Sequence, residues 1–531
     1  MELIDLIQAL SEESAYPHPA NGIEVRHTHI SVVFLAGNFA YKIKKPVDLG
    51  FLDFSTLEKR RHFCTEEVRL NRRLAPSVYL GVVPVSRNGT KVEMDGHGEV
   101  VEWAVKMERL PEAATLQSRL RRGEVDPELV ESLGRKIACF HAHAEAGEHI
   151  SLFGRFDSVA RNARENFDQS APYVGTTVSR AVDERLRSLT EEALACLRPL
   201  IERRADRGVP RDTHGDLHLD HVYLFPDRKP PDDLVIVDCI EFNERFRFAD
   251  PVADMAFLVM DLSFRGRPDL ARVLSESYFR ASGDEEGHTL LPFYMAYRAA
   301  VRAKVEGFEL SEKEVPETER VAALASARAH WFMALGELEE PNRRPCLVLV
   351  GGLPGTGKST LAQGLTERAG FCLIRSDVVR KELAGFADAG SGPASGPYGE
   401  GIYSPDWNQR TYSECLRRAA KLLFDGKRVL VDASFREEKW RRAFLETARG
   451  LRVPGGFLLC KAEPEIVRAR LQRRRNDASD ADWSIYRRAA ENWQKPSSLT
   501  VQNSWKIPTN GRAEEAVSTA LEVLRTLHLY S

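Results

Sequence analysis

The chain has 531 residues, of which 43% are hydrophobic and 29% are charged, and its formal net charge is −3. A chain of this length is too long to fold around a single hydrophobic core. It predicts roughly three or four structural units of a soluble globular protein. No apolar run reaches the roughly 18 residues of a membrane span, which excludes a transmembrane chain and a membrane partner.

The first residues and the cysteines indicate the cellular compartment. Met1-Glu-Leu-Ile-Asp5 lacks the basic flank and the long apolar core of a signal peptide. The eight cysteines are scattered singly, which indicates reduced thiols rather than a disulfide framework or a zinc site. We therefore expect a cytoplasmic protein.

Strand and turn signals near the start of the chain predict an antiparallel β-lobe. Residues 30–35 and 39–44 are apolar runs on either side of Ala36-Gly-Asn38, a pattern typical of a hairpin. A β-lobe followed by a helical lobe is an α+β arrangement. The segments predicted next are a helix over 56–74, strands over 78–85 and 100–107, and a mainly helical region from 127 with a β-rich patch at 214–239.

A loop in the β-rich patch carries the first chemical motif. His214-Gly-Asp216 begins this loop, and an apolar strand then leads to Asp238. These residues resemble the catalytic loop and the metal-binding aspartate of the aminoglycoside phosphotransferase and choline kinase group, which are small-molecule relatives of the protein kinases. The resemblance covers roughly residues 25–300 and includes Ala40-Tyr-Lys42, Glu67 on the next helix, Met107-Glu-Arg-Leu-Pro111 and Asp250-Pro-Val-Ala-Asp254.

This resemblance implies a bilobal kinase-like fold that uses ATP and Mg²⁺. Phosphoryl transfer depends mainly on positioning and on neutralising charge. Asp216 is then expected to accept the proton of an acceptor hydroxyl, and Asp238 is expected to hold Mg²⁺. Lys42, braced by Glu67, is expected to bind phosphate oxygens. The hinge-like segment places Glu108 and Leu110 at the nucleotide.

One position departs from the family pattern. Asn is expected five residues after the catalytic aspartate, whereas this chain has His221. Imidazole is a poor ligand for Mg²⁺, which prefers oxygen. His221 is kept as a candidate metal ligand, and the alternatives are that the second metal is lost, that His221 has another task, or that this domain is a weak catalyst. No glycine-rich loop precedes Lys42, His214 is interpreted as a structural member of the loop, and a turn aspartate is the alternative for Asp216.

A polar, proline-containing stretch at 336–345 is predicted to link two domains, over 1–335 and 346–531. Residues 345–531 carry 29 Lys and Arg against 21 Asp and Glu, a net charge of +8, whereas the rest of the chain carries −11. This asymmetry favours two domains with separate tasks. The small residues over 387–397 predict a mobile loop.

Strands and helices alternate in the second domain, which predicts a doubly wound α/β fold with ligands at the carboxyl ends of its strands. The strands are predicted at 346–351, 371–375, 428–433 and 456–460.

A Walker A motif follows the first of these strands and precedes a helical pattern, which is the context that this phosphate-binding loop requires. Lys358 is expected to reach the β- and γ-phosphates, and the Ser359 hydroxyl is expected to ligate Mg²⁺. The residues predicted to bind nucleotide are Gly352, Leu353, Pro354, Gly355, Thr356, Gly357, Lys358, Ser359 and Thr360.

Four more residues of this domain are candidates for catalysis. Asp377 follows the second strand and is interpreted as binding the acceptor hydroxyl, or alternatively as capping a helix. Asp432 ends a buried strand, where it is a candidate Mg²⁺ ligand or a simple turn residue. Arg470 and Arg474 share a helical face and are candidate γ-phosphate ligands on a lid, or alternatively a solvated basic face.

These motifs resemble the small P-loop kinases that include gluconate kinase, zeta-toxin-like proteins and polynucleotide kinases, over roughly residues 345–500. The whole chain is similar to bacterial fusions of an aminoglycoside phosphotransferase-like domain with an ATP-binding kinase domain. The sequence thus predicts an ATP-dependent phosphotransferase with two nucleotide sites and a small hydroxylated acceptor. The alternatives are a regulatory ATP-binding protein with an inactive kinase-like sensor, and a nucleic-acid end kinase. No aromatic stacking platform is apparent in the sequence, which argues against the nucleic-acid end kinase.

Overall fold

The structure is a computed structural model that describes residues 1–50, 52–311, 315–385, 401–473 and 482–531. Within these ranges the chain forms two compact units. The first consists of residues 1–162 and 195–298, and the second consists of residues 163–194 and 299–531. No helix in the described ranges is both long enough and apolar enough to cross a lipid bilayer.

The first unit begins with an antiparallel sheet, which has six strands among the described residues in the order β1-β2-β3-β6-β4-β5. The β2–β3 pair confirms the predicted hairpin, whereas β1 and β5 were not predicted. Its elements are α1 (Leu3–Leu10), β1 (Glu24–His27), β2 (Ser31–Ala36), β3 (Phe39–Lys44), α2 (Leu57–Asn71), β4 (Tyr79–Asn88), β5 (Lys91–Met94) and β6 (Glu99–Glu108).

The alternation of side chains along the strands places different residues on the two faces of this sheet. On one face, Phe34 and Tyr41 lie in an apolar core with Leu6 and Leu10 of α1. On the other face, Val105 lies in a second apolar cluster that includes buried residues of α2. Each face is therefore covered by a helix or by apolar side chains, and the sheet forms a stable platform for the residues at its strand ends.

The chain after β6 is mainly helical and contains two short antiparallel strand pairs, of which the pair at 222–224 and 234–236 is a hairpin within the predicted β-rich patch. Its elements are α3 (Leu116–Arg121), α4 (Pro127–His143), α5 (Glu148–Phe153), α6 (Phe156–Ser170), α7 (Arg180–Asp206), β7 (Arg211–Asp212), β8 (Val222–Leu224), β9 (Leu234–Ile236), α8 (Glu244–Arg247), β10 (Phe248–Ala249), α9 (Pro251–Phe264), α10 (Pro268–Ser282), α11 (Leu291–Glu309) and α12 (Glu317–Leu338).

The described part of the second unit contains a five-stranded parallel sheet in the order β12-β13-β11-β14-β15, which confirms the predicted α/β fold. The central strand β11 is buried along its whole length. The elements are β11 (Cys346–Gly351), α13 (Lys358–Ala369), β12 (Cys372–Arg375), α14 (Ser376–Leu383), α15 (Pro405–Phe424), β13 (Arg428–Asp432), α16 (Glu438–Gly450), β14 (Gly455–Lys461), α17 (Pro464–Arg473), α18 (Trp483–Glu491), α19 (Ser498–Gln502), β15 (Ser504–Pro508) and α20 (Ala513–Thr526).

The two compact units do not follow the predicted domain limits. Residues 163–194 and 299–335 belong to the second unit, although they lie within the predicted first domain. Helix α12 also extends into the predicted linker as far as Leu338. The division into 1–335, 336–345 and 346–531 therefore stays a prediction.

Candidate active sites

The first candidate site is built around Lys42 on β3. Its ammonium lies 2.9 Å from the Glu67 carboxylate and 2.7 Å from the Asp238 carboxylate. Burial lowers the pKa of Lys42, but Asp238 and Glu67 outweigh that effect and raise the pKa well above its usual value. The predicted pairing of Lys42 with Glu67 is thus present, and it includes the predicted metal-binding aspartate.

Asp238 lies just after β9 with a φ of +64°, a backbone conformation that non-glycine residues rarely adopt. Its N–H group donates a hydrogen bond to the Tyr79 hydroxyl at 3.1 Å. Burial works to raise the pKa of Asp238, but Lys42 and His221 reverse that effect and lower it. The carboxylate is therefore ionised and held in a strained position, as expected for a functional group.

Two buried residues of this site were missed by the sequence analysis. The Lys44 ammonium lies 2.7 Å from the Glu67 carboxylate and also contacts the Glu241 carboxylate. Lys44 is fully buried, and burial raises the pKa of Glu241. The spacing of Lys42 and Lys44 was a usable signal, because residues two apart on a strand point to the same face.

Asp254 holds the loop that carries the predicted catalytic base. Its carboxylate accepts hydrogen bonds from the N–H groups of His214 at 3.0 Å and Gly215 at 2.9 Å. Gly215 has a φ of +85°, and a Cβ there would lie 3.0 Å from a carbonyl oxygen, so the turn requires glycine. The side chain of Asp216 is 37% exposed, and an acceptor can therefore reach it.

His214 is fully buried in this loop, and its Nε2 lies 2.9 Å from the Val237 carbonyl oxygen. Burial lowers the pKa of His214 to about 4, so the imidazole is neutral near pH 7. These contacts agree with the structural task that the sequence indicates for His214.

His221 lies between Asp216, the predicted catalytic base, and Asp238, the predicted metal ligand. Its Nδ1 is 2.8 Å from the main-chain carbonyl oxygen of Asp216, and its Nε2 is 3.6 Å from the Asp238 carboxylate. Burial, followed by the neighbouring His218, lowers the pKa of His221. The residue that departs from the family pattern therefore faces the predicted metal-binding aspartate with a nitrogen atom.

The hinge-like segment lies at the end of β6. The Glu108 carboxylate is 2.5 Å from the guanidinium of Arg228, so its side chain is already paired. Leu110 is partly buried in the apolar cluster that also includes Tyr223 and Val237. Because Val237 directly precedes Asp238, this cluster forms an apolar wall beside the predicted metal-binding aspartate, which suits the apolar environment that ligand pockets offer to an aromatic base.

The second candidate site is the loop between β11 and α13, where three glycines allow the backbone to form a cradle. Gly352, Gly355 and Gly357 all have positive φ, at +142°, +77° and +85°. A Cβ on Gly352 would lie 2.8 Å from the Cys460 carbonyl oxygen, and one on Gly355 would lie 2.9 Å from Leu471. The amino end of α13 follows directly, which favours an anion in the cradle.

The cations of this site face the cradle. Lys358 donates a hydrogen bond to the Leu353 carbonyl oxygen at 3.0 Å, inside the loop that it is predicted to serve. Arg470 donates from Nη2 to the Thr509 carbonyl oxygen at 2.6 Å, and its Nη1 lies 3.7 Å from where a Gly357 Cβ would stand. This buried Nη1 has no hydrogen-bond partner among the described residues. A phosphate in the cradle would supply such a partner.

Asp377 and Asp432 lie at the carboxyl edge of the sheet, beside the cradle. Asp432 ends β13, is in register with Val350 of β11, and is buried. Burial, followed by the charge of Asp432, raises the pKa of Asp377. Helix α14 begins at Ser376 after Arg375 without a side-chain cap, so Asp377 is not the capping residue.

Two predictions fall outside the described residues. These are Arg474, with the lid segment that follows it, and the mobile loop over 387–397.

Comparisons with known proteins match both halves of the chain. The model of the phosphotransferase enzyme family matches residues 55–291, and an AAA domain model matches residues 347–496. Uncharacterized proteins of Mycobacterium tuberculosis and Mycobacterium bovis are 34% identical over 508 residues, which cover 95% of this chain and 96% of theirs.

Solved structures similar to parts of this chain include a sugar kinase from a Janibacter species, with 15% identity and a TM-score of 0.27 over 35% of this chain and 99% of that one. A gluconokinase from Sinorhizobium meliloti is 20% identical, with a TM-score of 0.26 over 35% of this chain and 95% of that one. At these TM-scores the likenesses support no inference about substrate.

Proposed function

The chain belongs to the family of the mycobacterial proteins, and the two domain models match its own residues, so we propose that it is an ATP-dependent kinase with two nucleotide sites. The proposed acceptor at each site is the hydroxyl group of a small molecule. The observation that carries this proposal is the cradle between β11 and α13, with Lys358, Arg470, Asp377 and Asp432 around it.

In the second site, the proposal assigns the phosphate-binding charges to the cradle. Lys358 exchanges its bond to the Leu353 carbonyl oxygen for the β- and γ-phosphates, and Arg470 Nη1 donates to a phosphate oxygen. Asp377 binds the acceptor hydroxyl and takes its proton, a task that a raised pKa suits. Ser359 and Asp432 offer the oxygen ligands that fit Mg²⁺, which would neutralise phosphate charge when bound.

In the first site, the proposal assigns proton transfer to Asp216 and phosphate binding to Lys42. The ion pair between Lys42 and Glu67 fixes the direction of the ammonium, so little entropy is lost when a phosphate binds. Asp238 offers an oxygen ligand that fits Mg²⁺, whereas the nitrogen of His221 does not.

The poor fit of the His221 nitrogen to Mg²⁺ favours a second candidate function for the first unit. Because a nitrogen faces Asp238 at 3.6 Å, this unit is alternatively a sensor that binds ligand without efficient phosphoryl transfer. ATP hydrolysis would then belong to the second site alone.

The experiment that separates these functions uses four forms of the full chain: wild type, Lys42→Ala, Lys358→Ala and the double variant. Phosphate transfer from ATP is measured with Mg²⁺ against sugars, aminoglycosides, nucleosides and RNA ends. Each single variant is expected to lose one acceptor activity by about a hundredfold or more, because the lost cation no longer stabilises transferred charge.

Lys421→Ala is the matched control, because Lys421 is exposed on α15 and belongs to neither proposed site. Wild-type turnover in the double variant would refute the proposed kinase. Loss of all transfer in Lys358→Ala alone would instead support the sensor function of the first unit.

A further inference from the structure

Two imidazoles and a carboxylate come together in the loop that follows β7. Asp216, His218 and His221 each offer a ligand atom, and these three atoms lie within 4.8 Å of one another. Nε2 of His218 is 3.5 Å from the Asp216 carboxylate, and the two imidazole rings are 3.8 Å apart. The loop therefore presents a compact set of nitrogen and oxygen donors.

The hydrogen bond of His221 determines which of its nitrogens is available. A carbonyl oxygen only accepts, so the 2.8 Å contact with the Asp216 carbonyl requires the proton of His221 on Nδ1. Nε2 then carries the lone pair, and it faces the Asp238 carboxylate at 3.6 Å. A main-chain carbonyl that orients an imidazole in this way is the usual outer support of a metal-binding histidine.

The separations of these donors fit a small four-coordinate ion. With metal–nitrogen bonds of about 2.0–2.1 Å, tetrahedral ligand atoms lie about 3.3 Å apart. The 3.5 Å between Nε2 of His218 and the Asp216 carboxylate, and the 3.6 Å between Nε2 of His221 and the adjacent Asp238 carboxylate, need only small side-chain movements to reach this value. Imidazole nitrogens favour zinc and its first-row neighbours, whereas Mg²⁺ favours an all-oxygen site.

We propose that this loop binds a first-row transition-metal dication of the Zn²⁺ class through Asp216, His218 and His221. The fourth position is left to water or to the adjacent Asp238. Its ligand set differs from that of a Mg²⁺–nucleotide site, because it contains the predicted catalytic base and two nitrogens, although the adjacent Asp238 is a candidate ligand for both ions.

One consequence rests on the proposed function of the first unit. A carboxylate that ligates a metal dication cannot accept the proton of an acceptor hydroxyl at the same time. Binding of the transition metal therefore inhibits phosphoryl transfer at this site and makes it responsive to metal supply.

The binding test uses the full chain after treatment with a chelator, with Zn²⁺ titrated against a chromophoric competitor in excess Mg²⁺. Wild-type protein is expected to retain one Zn²⁺ per chain. The double variant His218→Asn/His221→Asn is expected to lose affinity by about a hundredfold or more, beyond the range for outer-shell changes. His97→Asn is the matched control, because His97 is exposed in a bend.

Co²⁺ provides a second readout that needs no variant, since tetrahedral Co²⁺ with nitrogen ligands has intense visible absorption bands. These bands are expected in wild type and should be lost in His221→Asn. The proposal is overturned if the wild type binds no Zn²⁺ in excess Mg²⁺, if it gives no tetrahedral Co²⁺ bands, or if the double variant binds Zn²⁺ as tightly as wild type.

Neither readout depends on turnover, so the metal site and the proposed kinase function fail separately. If Zn²⁺ binds as expected but Lys358→Ala protein phosphorylates no acceptor, the kinase function of the first unit is refuted and the metal site stands. If Lys358→Ala protein is active and bound Zn²⁺ leaves its rate unchanged, the inhibitory consequence is wrong.

Discussion

Asp377 is the second residue of α14. Burial, followed by the negative charge of the Asp432 carboxylate, raises its pKa. A folded-state pKa above the unfolded value means that the folded protein holds this proton to higher pH. The ionised form then destabilises the fold as pH rises from the unfolded pKa through the folded pKa. Such a cost is typical of a residue retained for chemistry.

We expect Asp377→Asn to raise stability at neutral pH and to lower transfer at the second site by about a hundredfold or more, because the hydroxyl loses its proton acceptor. Thermal unfolding of the full chain between pH 4 and pH 8 and turnover in a Lys42→Ala background measure the two effects. The stability gain should shrink toward pH 4, where the unfolded state of wild type also begins to bind the proton.

Asp406→Asn is the control, because Asp406 is exposed in the first turn of α15 and favours the helix dipole. It should lower stability slightly and leave turnover unchanged. A stability loss in Asp377→Asn at neutral pH would contradict the assigned pKa direction.

His221→Asn tests the departure from the family pattern at the first site. Replacing the nitrogen that faces Asp238 with an amide oxygen is expected to raise Mg²⁺-dependent transfer by roughly tenfold to a hundredfold, since Mg²⁺ gains an oxygen ligand. The rate is measured in a Lys358→Ala background with a chelator selective for transition metals present. Asp216→Ala should remove this gain, and a fall in rate would assign His221 a positive catalytic task.

At the scale of elements, the contact between the β11–α13 loop and helix α17 explains why the cradle needs glycine. Val467 and Leu471 of α17 lie 2.9 Å from where a Gly355 Cβ would stand. Replacing Gly355 with any other residue would therefore carry two costs, the strain of a positive φ and the clash of the new Cβ with α17. Gly370 at the end of α13 has a φ of +66° with open space around it, so it carries the first cost alone.

Gly355→Ala is expected to lower nucleotide affinity at the second site at least tenfold and to destabilise the second unit by about 2–3 kcal/mol, from backbone strain and overpacking. Gly370→Ala should cost about 1–2 kcal/mol and leave nucleotide affinity unchanged. Nucleotide titration and urea unfolding of the full chain measure both. Equal effects of the two variants on nucleotide binding would contradict the role of the clash.

Strand β3 carries two lysines into a buried network, and this network sets the direction of Lys42. One carboxylate oxygen of Glu67 forms an ion pair with Lys42 and the other forms an ion pair with Lys44. Lys44 also contacts the Glu241 carboxylate. Removing one member of a buried ionic network leaves a charge without compensation, at a cost of about 3–5 kcal/mol.

We expect Lys44→Met to lower the hydrogen-exchange protection of β3 and β6 by an amount equivalent to about 3 kcal/mol or more. Adding Glu241→Leu should restore part of the protection, because the second buried charge is removed as well. Additive losses in the double variant would show that Lys44 and Glu241 are not coupled.

At the scale of the whole molecule, the two candidate sites share no residue, and each lies within one compact unit. The match to the mycobacterial relatives covers 95% of the chain and therefore includes both units. The two sites are therefore proposed to bind nucleotide independently, although one chain carries both.

Calorimetry with a non-hydrolysable ATP analogue and Mg²⁺ is expected to report two sites per wild-type chain and one site in Lys358→Ala. The remaining site should lose its Mg²⁺ dependence when Asp238→Ala is added, because that change removes the oxygen ligand. A single site in wild type that Lys358→Ala abolishes would contradict nucleotide binding by the first unit.

Much of the chemistry could be predicted from the order of residues, because each motif is local. The Walker loop is a contiguous segment whose glycines and flanking strand and helix are visible in the sequence, and the β2–β3 hairpin follows from two apolar runs around Gly37. Strand β15 was missed because it ends in a proline and pairs only with β14 among the described strands.

The tertiary structure was needed wherever distant segments meet. Glu241 and Lys44 are separated by 197 positions, and no periodicity connects them, yet burial brings their charges together. The same holds for His221, whose sequence signal was only a departure from a motif, whereas its hydrogen bond to the Asp216 carbonyl and its approach to Asp238 come from the folded loop. Local backbone preferences are encoded in neighbouring residues. Groups of candidate metal-ligating side chains and buried ion pairs depend instead on long-range packing.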